Sequence, residues 1–473
     1  MLKSQLLVDA QYRHANHYLG QLRDVAMLFE KNRVESAFKR FDEIWLQVQK
    51  GHLWSLAQDD ERALELRKSF MIEGSALLEL RQTTDERIAW AQAALDAALI
   101  LGDEDAQFET YSQLSRLYLL MGDNKAGIAV SEQAYVLAQK HNNPLHQARS
   151  LNLLSNHLNR SGDYEQGRVY SEQSLAISLD IDDLRGVAMC YGNLGALEAQ
   201  LGDYEKALDY HRKSLEVNRE IDHWQGMTKS LNNIGSVLWS LGRFDEAEGY
   251  YEECLQIREA YDDEPGIADV MNNLGALAAM RGDFALARQR WERCLNLSQK
   301  HHLLRLIAYT QLNLGSVSRD LGDFAASVPY FEDAAEQLRT INSVFGLTIA
   351  LCALGNVLLL IGKDNQARAS KVLYDALHIA QERGTMPTVT WALVGFARLH
   401  ALKGDYTHAA QLLGVVGTHK ASQDSNVQRE IKDLTTRLAS YLSPDMLNAA
   451  KTQGEQQDLD AVITEYISVH SPS

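Results

Sequence analysis

Four asparagines stand at intervals of forty residues: Asn193, Asn233, Asn273 and Asn313. An amide side chain offers two donors and an acceptor, so such a row suits two tasks. One is to grip the backbone of an extended peptide with little regard to its side chains. The other is to bond neighbouring structural units to each other or to helix ends. Asn156, Asn356, Arg149, Arg160, Lys229, Asp269, Tyr309 and Asp320 fall on the same helical face at spacings of three and four. Its three cations against two anions keep this face from being acidic, although the chain carries a formal charge of −17. Cations gather toward the N-terminal end and anions toward the C-terminal end, which would orient a peptide by its own charge asymmetry.

Other reactive side chains have plainer explanations. Asp123, Asp163, Asp203, Asp283, Asp323 and Asp405 each follow a glycine and are placed to cap a helix rather than to act as catalytic acids. Cys254 and Cys294 lie where other repeats carry Ala134, Ser174, Ser214 and Ala334, so they read as small buried thiols, neither bridged nor metal-bound. His301-His302 sits at a helix end and reads as solvated. No phosphate-binding loop, His-Glu-x-x-His motif or cysteine pair occurs. The expectation is a non-enzyme with no cofactor and no metal.

The elements behind these residues follow from the glycines. Gly122, Gly162, Gly202, Gly242, Gly282, Gly322 and Gly362 keep an unbroken period of forty, and Gly404 follows after forty-two, a slip of two near Ala369 to Val372. A fixed period of this size marks a solenoid of stacked supersecondary units. Each glycine ends one helix in a left-handed turn, and the next residue caps a second. A small residue stands seven before the hinge, from Ser115 and Ser155 through Gly195, Gly235, Gly275, Gly315 and Gly355 to Ala397. Another stands five after it, from Gly127 through Ala207 to Ala409. Both imply close helix crossings.

Leu194-Gly195, Gly202-Asp203-Tyr204, Ala207, Tyr210 and Leu215, recurring at this period, resemble the tetratricopeptide repeat in the longer form of LGN/Pins scaffolds, kinesin light chains and bacterial peptide-sensing regulators. The resemblance implies an all-α, right-handed solenoid whose first helices line a concave groove. It also implies that Asn193, Asn233, Asn273, Asn313, Asn156, Asn356, Arg149, Lys229 and Tyr309 would contact a bound peptide, with Trp239 and Arg319 left to pack between repeats. Tyr12 to Leu19 and the segments around Ala409–Gly414, Tyr441-Leu442 and Leu459–Tyr466 resemble the ends of the repeat sensor region in bacterial AfsR/LuxR-type STAND regulators. That resemblance implies the alternative of an effector-sensing arm whose NTPase module is absent from this chain, with a regulator or NTPase as partner.

The organisation expected is one elongated body. It comprises an N-terminal helical cap over 1–58, a degenerate repeat over 59–103 with Gln82 at the hinge, and seven forty-residue units over 104–384. A last unit over 385–420 and a C-terminal helical cap over 421–473 complete it. The acidic balance argues against nucleic acid. No apolar run long enough for a signal peptide occurs at the start, and no stretch approaches the roughly 18 apolar residues of a membrane span. A cytoplasmic protein without membrane contact is expected.

Overall fold

The computed structural model describes residues 2–30, 34–78, 81–420 and 425–470. Among them every regular element is helical, and successive helices pair antiparallel in an α-solenoid. The chain divides into two compact units, Met1–Ile257 and Arg258–Ser473.

Each repeat is written by two punctuation marks. The first is the hinge glycine, with φ between 74° and 92° at Gly122, Gly162, Gly202, Gly242, Gly282, Gly322 and Gly404, a left-handed conformation that costs glycine least. The aspartate after it accepts a hydrogen bond from the backbone three residues on, as Asp203 does from Lys206 at 3.2 Å and Asp323 from Ala326 at 3.1 Å. The second mark escapes a search for glycine. The turn into the next repeat also needs a left-handed residue, and Asn142, Asp182, Asp222, Asp262, His302 and Asn342 supply it with φ of 49–55°. Asn, Asp and His are the non-glycine residues that tolerate this region best.

The glycines seven before the hinge serve packing inside one repeat. A methyl group at Gly195, Gly235, Gly275 or Gly315 would stand 2.6–2.7 Å from the ring of His211, Tyr251, Trp291 or Phe331, nine residues after the same hinge. Where Ser115 and Ser155 replace glycine, the facing residue shrinks too, and Ser115 bonds Ser131 at 2.8 Å. The slip after Gly362 has the same logic. A short 3-10 turn, Lys363–Asn365, adds two residues, so Leu373 fills the space at Gly355.

In the N-terminal cap, the apolar residues Leu19, Leu22, Val25, Phe41 and Val48 are buried; the side chain of Phe29 lies outside the described residues. Trp90 of the degenerate repeat stacks on His52 at 3.5 Å. All four cysteines are free and buried. One expectation needs correcting. The 18-residue helix Val344–Ile361 has a mean hydropathy of 2.5 and is long and apolar enough to cross a membrane. In the fold it is a core helix, with Leu351, Cys352, Leu354, Val357 and Leu358 buried in the second unit.

Candidate functional site

The asparagine row lies on the first helix of each repeat, held in register by the hinge and by the left-handed turn before it. In the first unit, the helix Leu184–Leu201 carries Asn193, whose amide donates to Asn152 Oδ1 of the preceding repeat at 3.1 Å. Asn152 donates in turn to Cys190 Sγ at 3.6 Å, and that thiol to Ser174 Oγ at 3.2 Å. Asn193 is therefore a tie between repeats.

Asn233, one repeat later on Trp224–Ser240, stands differently. Its partner position is Gly192, which offers no side chain, and a Cβ built there meets only Ser214 Oγ, at 3.7 Å. The half-buried Asn233 amide has no hydrogen-bond partner among the described residues, and neither does Asn156. Lys229, one turn before Asn233, is exposed, as is Arg149. Two amides and two cations of the predicted set thus remain available within the first unit.

The second unit uses most of its share internally. Asn313 donates to Asn272 Oδ1 at 3.1 Å, repeating the Asn193 tie, and Asn273 is engaged as well. Tyr309 is half-buried, its hydroxyl 3.4 Å from Ser343 Oγ, with Arg305 5.9 Å above its ring. Asn356 must be withdrawn from the predicted set. It is fully buried, its amide donating to Cys352 O at 2.9 Å, so no ligand can reach it. Asp320 is no free anion either, since Arg319 and Arg429 bond it at 3.0 and 3.1 Å, which removes one half of the charge gradient.

Sequence reasoning passed over Arg398. It stands six before its hinge glycine, the offset of Asn156 and Asn356, so the register marks it as a member of the same face. Its guanidinium is 2% exposed and pairs with Glu430 and with Asp433, the latter at 3.0 Å.

A row of amides on stacked first helices defines a helical-repeat scaffold. Residues 146–220, 227–300 and 308–337 match the tetratricopeptide repeat family, and the repeats in these segments are tetratricopeptide repeats. No curated protein matches the sequence. Among solved structures, the fold is similar to a signal-transduction ATPase with numerous domains from Pyrococcus horikoshii that carries a tetratricopeptide repeat sensor. Identity there is 14% and the TM-score 0.56, over 90% of this chain and 57% of that one. The apo quorum sensor NprR from B. thuringiensis is 14% identical over 80% of this chain and 99% of its own, with a TM-score of 0.49. BtubC from P. vanneervenii is 23% identical over 46% and 92%, with a TM-score of 0.43.

Proposed function

We propose that this chain is a non-enzymatic scaffold that binds a peptide or protein segment on the first-helix face of its first unit, in the cytoplasm. The observation that carries the reading is the broken tie at Gly192. At Asn193, Asn273 and Asn313 the row's amides are engaged, whereas Asn233 keeps an unmet donor pair and acceptor beside Lys229. A half-buried amide without a partner is costly unless a ligand or water completes it. Asn156 and Arg149 extend the same chemistry toward the N-terminus, and Asn193 contributes as a fixed element between them.

The test uses the full chain and an array of extended peptides of varied charge. Asn233→Ala should abolish binding with the melting midpoint nearly unchanged. Gly192→Asn should also silence the site, because it supplies the missing partner in space that is open. Equal peptide binding by the wild type and both variants would overturn the reading. A second reading, an effector-sensing arm acting on an NTPase or transcription regulator, takes its motive from the fold shared with the Pyrococcus sensor. A pull-down from the native host that returns no such partner would remove it.

A further inference from the structure

The second unit holds a side-chain cluster that stacking of repeats does not require. The helix Ser425–Leu438 follows the last repeat, lies against that repeat's first helix, Met386–Leu402, and reaches the earlier first helix Leu304–Asp320 through side-chain ion pairs. Val427, Glu430, Leu434 and Leu438 are its buried face, spaced by three, four and four residues. An acidic residue thus sits in an otherwise apolar stripe, and it meets two buried arginines. Glu430, 5% exposed, pairs with Arg398, and its other oxygen lies 3.8 Å from Arg319 Nη1. One position earlier, the exposed Arg429 reaches Asp320, 109 residues back in the chain. Asp320 and Arg398 both occupy offsets of the repeat face on which the asparagines stand.

The arginine site is only partly filled. A guanidinium presents five N–H donors in a planar fork suited to two carboxylate oxygens. Arg398 engages its acceptors through Nη2 alone, while its Nε and Nη1 are buried without a hydrogen-bond partner. Unmet donors on a buried cation are costly, so a ligand that brought a second oxygen to this fork would bind better than Glu430 does.

We propose that Arg319 and Arg398 form a carboxylate-binding site on the first-helix face of the second unit. Helix Ser425–Leu438 fills that site as an internal ligand. The external ligand it fits is an amphipathic helix with one acidic residue inside its apolar stripe, and such a partner displaces Ser425–Leu438. This goes beyond the peptide site at Asn233 and stands or falls separately from it, because the two involve no common residue.

The probe is a fluorescent peptide of residues 425–438, titrated into the full chain. Wild type should bind it weakly, because its own helix occupies the site. Arg429→Gln loosens that helix by removing an exposed ion pair without unpairing a buried charge; it should retain the wild-type circular dichroism and melting midpoint and bind the probe several-fold tighter. Glu430→Gln in the chain should strengthen binding about tenfold, with faster amide exchange confined to residues 425–438. A probe carrying glutamine in place of its glutamate should lose binding to every version of the chain. The proposal is overturned if Arg429→Gln, folded, binds no tighter than wild type, or if the acidic and amide probes bind equally. The Asn233→Ala chain should bind the probe as wild type does, which separates failure here from failure of the peptide site.

Discussion

The two units carry the same repeat and spend its inner face differently. In the first, Asn156 and Asn233 have no hydrogen-bond partner among the described residues, and Arg149 and Lys229 are exposed. In the second, Asn313 is tied, Asn356 is buried, and Asp320 and Arg398 are taken by a helix from the same chain. The buried polar groups differ as well. The first unit buries imidazoles, with His52 pushed down to about 3 and His211 to about 4, chiefly by desolvation; His146, His157 and His223 are lowered by the same cause. The second buries guanidiniums at Arg319 and Arg398 against a carboxylate, Glu430, whereas the buried Arg67 of the first donates to the backbone carbonyls of Ser55 and Gln58. One backbone plan therefore supports a face whose amides keep free valences and a face closed on itself, depending on single residues at fixed offsets.

The largest effect should come from opening the closed face. Arg398→Met strands Glu430 in the interior and should cost the second unit about 3–5 kcal/mol, read as lost amide protection after residue 258. Adding Glu430→Met should return most of it. Additive losses in that double variant would mean the pair is not coupled and the contrast between units is overstated.

Acid should single out the first unit. A buried imidazole whose folded pKa lies below the unfolded value near 6.5 binds its proton more readily when unfolded, so its stability is present above pH 6.5 and is lost as pH falls toward the folded value. Each of His52 and His211 should then cost on the order of 3 kcal/mol by pH 4. In the second unit, desolvation raises the Asp375 carboxyl, which acts in the opposite sense, favouring the fold at low pH and weakening it as pH rises. Hydrogen exchange at pH 7 and pH 4.5 should show loosening before residue 257 first. His211→Phe, which copies Phe331 in the equivalent place, should flatten that dependence.

The shared architecture predicts smaller and equal effects in both units. Gly235→Ala and Gly275→Ala press a methyl group on Tyr251 and Trp291 at 2.6 and 2.7 Å, and each should cost about 1–3 kcal/mol in chemical denaturation. Removing a cap by Asp203→Ala or Asp323→Ala should cost about 1 kcal/mol in either unit. A clear inequality between the paired variants would show that the repeats are not mechanically equivalent.

Much of this was legible because it is local. A glycine in a left-handed turn and an aspartate bonding three residues ahead act within a few positions, so period and identity suffice to read them. The pairings were not, because they act across repeats at a different stride. Asn193 and Asn313 meet asparagines 41 residues back, one off the period, so the partner column at Asn152 and Asn272 and its gap at Gly192 emerge only when helices are stacked. The glycines seven before the hinge are plain in the sequence, but their reason, a ring from the second helix, is tertiary. Arg398 carried a readable signal in its offset, whereas its partner Glu430 lies in a helix outside the repeat register.

The left-handed turns at Asn142, Asp182, Asp222, Asp262, His302 and Asn342 carry one more consequence. Because the repeats between Asn142 and Asn342 enter and leave through the same pair of backbone conformations, excising or duplicating a forty-residue block within that stretch places no residue in a turn it does not already tolerate. Such a chain can grow or shrink by whole units during evolution. What each such event changes is which asparagine finds a partner and which is left facing outward.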